Sequence, residues 1–167
     1  MFGIGDKIVY GYDGVFCVSE YTNSPIDKND ERVFYVLRPA FGSASNIIVT
    51  PSEGGATSMR AVMTAEEATE LIARVGEIAE VEVEKERNRR EIYREVMNQC
   101  RAEDFVSIIK TVRRRRGEFI AQKRRLSETD TDFESRARHC LFCELAVSMN
   151  TTVAEAEQVI LAKLGEA

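Results

Sequence analysis

A chain of 167 residues, 44% apolar and 31% charged, has the composition of an ordinary folded protein with room for one large domain or two small ones. It contains no apolar run of the roughly 18 residues that a membrane helix needs, so no span is expected. Met1 to Lys7 lack the basic start and apolar stretch of a secretory leader, and the expectation is a cytoplasmic protein whose Cys17, Cys100, Cys140 and Cys143 are reduced thiols.

All three prolines and seven of the ten glycines precede residue 56, the punctuation of a small β domain. Lys7–Tyr10 and 15–20 read as strands joined at Tyr12-Asp13-Gly14, where Asp and Gly suit a tight turn. Residues 32–38, RVFYVLR, form a strand rich in aromatic and branched side chains, and 46–50, NIIVT, form another that Pro51 closes. Residues 52–58 read as a Gly-containing loop. The last strand has two readings: an edge open to a partner strand, or the middle of the sheet, since both have this composition.

After Met63 the apolar period changes from two to 3.6. Thr64-Ala65-Glu66-Glu67 is a capping box, followed by the stripe Ala68, Leu71, Ile72 and Val75. A second helix is expected over 85–100 with Ile92, Val96 and Cys100 on its apolar side. A third starts near Glu103 with Phe105, Ile108, Ile109 and Val112, resuming at Phe119. A fourth, over 131–149, is apolar nearly all round from Cys140 to Val147 and reads as the central buried helix. A fifth opens on the capping box Thr152-Val153-Ala154-Glu155, uses Val153, Ala156, Ile160 and Leu164, and stops at Gly165. The fold class is therefore α+β: a β domain over 1–58, then an all-α bundle of about five helices over 63–167.

Little in this chain is equipped for catalysis. The single histidine, His139, lies in the fourth helix, and its neighbour Cys140 points about 100° away, so the two do not make a base–nucleophile pair. Cys140-Leu141-Phe142-Cys143 is one CxxC within a helix; zinc sites use four ligands, and core packing is the simpler reading. Gly3-Ile4-Gly5 has Ile8 where a dinucleotide fingerprint needs its third glycine. No enzymatic activity, metal or cofactor is expected.

The net charge of −5 hides an asymmetry. Residues 85–125 carry 14 Lys and Arg against 6 Asp and Glu, while the rest carries 9 against 22. Local charge attracts phosphate, because fields decay over about 10 Å at moderate salt. Arg113, Arg114, Arg115 and Arg116 are consecutive and are followed by Lys123, Arg124 and Arg125; Arg87, Arg89, Arg90 and Arg94 form a second cluster on the preceding helix. Arginine forks suit phosphate, so these eleven residues are the candidate DNA contacts, giving affinity and salt dependence rather than sequence choice. The competing reading is a solvated face balanced by the acids elsewhere.

The order of motifs carries a family resemblance. Gly5-Asp6-Lys7-Ile8-Val9-Tyr10, Gly14-Val15 and Val18-Ser19-Glu20 resemble the opening of CarD-like bacterial transcription regulators, a module shared with the RNA-polymerase-interacting domain of transcription-repair coupling factor. Phe34-Tyr35-Val36-Leu37-Arg38-Pro39 and Ile47-Ile48-Val49-Thr50-Pro51 look like its next strands. Tyr93-Arg94-Glu95, Asp104, Leu126-Ser127 and Cys143-Glu144-Leu145-Ala146-Val147 follow in the order of the helical half. The resemblance implies a Tudor/SH3-like β-barrel that docks on the RNA polymerase β subunit by strand pairing, with Arg38, Asn46, Ile47, Ile48, Val49 and Thr50 as the docking residues. It also implies a helical domain that touches promoter DNA and changes open-complex stability, where ~1.4 kcal/mol shifts the open/closed ratio about tenfold. An open strand edge also admits a strand-mediated dimer. One departure is plain: relatives set a tryptophan at the minor groove, and this chain has none, its corresponding stretch 81–90 being dense in charge. Arg87, Arg89 or Arg90 is the expected minor-groove group instead. A protein–protein adaptor bound to polymerase without DNA contact is the alternative.

Overall fold

The computed structural model describes residues 1–43 and 45–165; Ala44, and Glu166 and Ala167 at the end of the helical part, lie outside the described residues. Strands β1 (Lys7–Tyr10), β2 (Gly14–Thr22), β3 (Phe34–Pro39), β4 (Ile48–Pro51) and β5 (Met59–Ala61) form one antiparallel sheet in the order β4-β3-β2-β1-β5. Helices α1 (Ala65–Arg74), α2 (Arg89–Asn98), α3 (Ala102–Ala121), α4 (Glu128–Ser148) and α5 (Val153–Lys163) follow, with a 3-10 turn at Glu86–Asn88 leading into α2. The class is α+β, an N-terminal sheet and then helices, and the sheet is open rather than closed on itself. No helix among the described residues is long and apolar enough to cross a membrane.

Side chains alternate across the sheet with the period of two that a pleated strand imposes. Ile8, Tyr10, Phe16, Val18, Tyr35 and Leu37 form one buried face. Val9 and Val15 point the other way and meet Cys100 and Cys143. The β1–β2 connection turns at Tyr12 and Asp13, and Gly14 after it has φ +118°. A Cβ there would also lie 2.9 Å from His139 Nε2, so both backbone and space require glycine.

One strand is new relative to the sequence reading. Met59-Arg60-Ala61 is too short to show a period, yet it pairs with β1, Val9 opposite Arg60, and carries the sheet past residue 58. Arg60 then joins sheet to helices. Its Nη2 donates to Glu144 Oε2 at 2.7 Å, its Nη1 to Oε1, and its Nε to the Cys100 carbonyl. Glu144 is fully buried on α4 and also accepts from the Met63 backbone N–H at 3.0 Å. The Cys100 thiol donates to the Gly11 carbonyl at 3.0 Å. Breaking a buried pair on one side leaves an uncompensated charge, so this link fixes how the sheet meets the bundle.

The helices form where their caps and stripes predict. Thr64 and Thr152 both make complete capping boxes, and Ser127 caps α4, starting that helix at Glu128 rather than Thr131. Phe105, Ile108, Ile109 and Val112 are buried on α3, each contributing about 1.5–3 kcal/mol of burial. α4 is buried continuously from Cys140 to Ala146 and touches α3, α5 and β2, as the central helix should. α2 differs from its sequence reading: its buried row is Arg89, Tyr93 and Met97, while Ile92 and Val96 are only half-buried. Tyr93 and Met97 are both fully buried in the helical core, where the Tyr93 ring meets Phe133 edge-on and its Oη donates to Asp130 Oδ1 at 3.0 Å. Gly165, at φ +78°, follows the last helix as expected.

Candidate functional site

Two surfaces contain the residues singled out by sequence. The first is the free side of β4. Among the described residues this strand pairs with β3 alone, Val36 opposite Val49 and Leu37 opposite Ile48, so its other side is an open edge. Of the two readings of this strand, the edge is the one realised. Its side chains alternate: Ile47 and Val49 are 45% and 41% exposed, Ile48 packs on the inner face of the sheet, and Thr50 is buried with its Oγ1 3.4 Å from Tyr10 Oη. Arg38 and Asn46 are exposed. The outward set is therefore Arg38, Asn46, Ile47 and Val49. Ile48 and Thr50 face inward and can offer a partner only their backbone.

The second surface is the basic one, and the fold divides it. The four consecutive arginines of α3 are all engaged. Arg113 donates to the Leu164 carbonyl; Arg114 pairs with Glu80 and Glu118; Arg115 makes two bonds to Glu86, at 3.0 and 3.2 Å, and approaches Asp130; Arg116 holds Glu134. Asp130 is fully buried and Glu134 nearly so, which is why they take arginine partners. Arg89, expected at the minor groove, is itself buried between Asp130 and Glu86. One turn before Tyr93 on α2, it shares that residue's inward face.

Arg87, Arg90, Arg94, Lys123, Arg124 and Arg125 are exposed, and no ion pair joins them to any acid among the described residues. Arg124 lies over the Phe119 ring at 4.7 Å, with Arg115 on the same ring at 5.1 Å. Arg90 and Arg94, one turn apart on α2, line a cleft of about 90 Å³ with Tyr12, Asp132, Phe133 and Arg136. Arg136 sits 5.8 Å above the Tyr12 ring. Sequence reasoning missed Tyr12 and Arg136 because they come from the first β turn and from α4, and no local pattern announces that α2 meets both.

The CxxC thiols belong to the interior. Cys140 and Cys143 are buried, in line with the core reading of CxxC, and burial pushes the Cys143 thiol up to about 11 and Cys140 further. His139, on the central helix, is exposed, with Nδ1 3.7 Å from Cys143 Sγ. A thiol kept protonated by burial is a poor nucleophile. Among the described residues no group of three or more His, Cys, Asp or Glu side chains is placed to hold a metal ion. No protein-family model and no curated protein matches the chain, so the functional reading rests on the geometry of these two surfaces.

Proposed function

We propose that this chain is a cytoplasmic transcription regulator of CarD-like type, docking through β4 on the RNA polymerase β subunit and touching promoter DNA through its exposed arginines and lysine. The open, apolar edge of β4 carries this reading: a strand paired on one side only, with Ile47 and Val49 outward and flanked by Arg38 and Asn46, is what strand addition by a partner requires. In this reading the open five-stranded sheet is the counterpart of the family's Tudor/SH3-like module. The DNA contacts are narrowed to Arg87, Arg90, Arg94, Lys123, Arg124 and Arg125, since Arg89 and Arg113–Arg116 have partners inside the fold. Their task is phosphate neutralisation, which holds DNA without reading bases.

The test is binding of the full chain to isolated RNA polymerase β subunit, before and after Ile47→Glu with Val49→Lys. Both side chains are exposed, so the fold should survive, and affinity should fall roughly tenfold or more. Unchanged binding would remove the docking claim. A fragment ending near Arg60 would be a poor substitute, because it cuts β5 and strips Arg60 from Glu144.

One observation favours the adaptor alternative: Arg114, Arg115 and Arg116 of the longest arginine run are already paired with the protein's own acids. Replacing Arg90 and Arg94 by alanine separates the readings. DNA contact requires weaker promoter binding and a shallower salt slope; an adaptor keeps its affinity for polymerase–promoter complexes unchanged.

A further inference from the structure

The segment between α1 and α2 has a feature that neither docking nor DNA contact uses. Residues 77–86 read EIAEVEVEKE, five glutamates against one lysine. Residues 79–83 adopt no regular secondary structure, yet the segment is fastened along α3. Lys110 Nζ donates to the carbonyls of Val75 and Gly76, at 3.1 and 2.9 Å, and to that of Ile78. The Val81 N–H donates to Thr111 Oγ1 at 2.8 Å. Ile78, Val81 and Val83 pack on the helical core, so the intervening Glu82 and Glu84 face solvent. Glu80 takes Arg114, and Glu86 takes Arg115 in a two-bond fork.

We propose that this segment is an autoinhibitory acidic strap, a built-in competitor for the phosphate backbone along the arginine row of α3. A carboxylate in a two-bond fork occupies an arginine as a phosphate oxygen pair would. Glu82 and Glu84 add to this, because no ion pair joins either to a described residue and both lie exposed beside Arg114. Beside the most basic run of the sequence, the folded chain therefore sets four glutamates, Glu80, Glu82, Glu84 and Glu86. The strap rests on the reading that this protein contacts nucleic acid; it sets how strongly, by leaving that contact to α2 and to Lys123–Arg125.

The experiment is a titration of the full-length chain with a fluorescent DNA duplex over a range of salt, followed by anisotropy. E80Q/E82Q/E84Q/E86Q should bind several-fold tighter than wild type at low salt, and its log–log salt slope should steepen by about one per arginine released. E82Q/E84Q leaves every described ion pair in place and should give a smaller gain in the same direction; it carries the test if the fourfold variant does not fold. E31Q/E53Q, exposed acids on the sheet side, controls for lost net charge and should stay within about twofold of wild type, given screening over that distance. Adding R114Q should remove most of the gain in the fourfold variant while changing wild type little. If wild type binds DNA and the strap variants match it in affinity and slope, the strap proposal falls and the DNA reading stands. If neither wild type nor any variant binds DNA while wild type still binds the β subunit, both fall.

Discussion

The arginine run of α3 and the pair Arg90 and Arg94 of α2 are both dense in charge along the sequence and have opposite fates. Arg113 to Arg116 are turned to the molecule's own carbonyls and carboxylates, two of which, Asp130 and Glu134, are buried. Arg90 and Arg94 stand in solvent at a cleft. Charge counted along a sequence is thus not charge on a surface: a run of arginines beside a central helix is available to satisfy that helix's acids. The difference also predicts which substitutions damage stability and which damage binding.

The largest effect should come from the most committed charge. Arg60→Ala leaves Glu144 fully buried and unpaired, and should cost about 3–5 kcal/mol in denaturant unfolding of the full chain. A cost below about 1 kcal/mol would mean the sheet and bundle do not depend on this link. Arg116→Ala should cost about 1–3 kcal/mol, since it removes a two-bond partner of the buried Glu134 and leaves the longer 3.5 Å contact from Arg138.

A subtler test uses pH. The folded state holds Cys143 protonated up to about 11, and burial raises Cys100 and Cys140 as well. The unfolded chain loses these protons near pH 8.5. Above that point the folded state binds more protons than the unfolded one, so stability falls as pH rises. Full stability below about pH 8.5 should therefore decline progressively toward pH 11, with Cys143→Ser flattening the decline. A chain equally stable across that window would place these thiols outside the core.

The smallest change in stability should come from the uncommitted pair. Arg90→Ala with Arg94→Ala should alter unfolding free energy by no more than about 0.5 kcal/mol each while lowering the salt slope of DNA binding by up to about two. If the same substitutions unfold the protein, the division between committed and free arginines is wrong.

Much of this architecture is legible in the sequence, and the exceptions have physical causes. Four strands and all five helices announce themselves through alternation, capping boxes and apolar stripes, because these are local signals. β5 does not, since three residues are stabilised by pairing with β1 rather than by any pattern of their own. The inward face of α2 is not legible, because Tyr93 and Met97 are buried by long-range partners, Phe133 and Asp130 for Tyr93, while Ile92 and Val96 stay half-buried. Candidate site residues were legible as a basic class but not as individuals: whether an arginine serves Asp130 or the solvent depends on how α3 and α4 cross, and no spacing encodes that. Edge or centre for β4 was likewise undecidable from composition, being a property of strand order.

Docking through β4 is tested most directly by backbone hydrogen exchange of the full chain, alone and with the RNA polymerase β subunit. Strand addition predicts slowed exchange confined to the amides of residues 47–50, with β5, the opposite edge, unchanged. Exchange at 47–50 that stays the same while the two proteins are bound would contradict it.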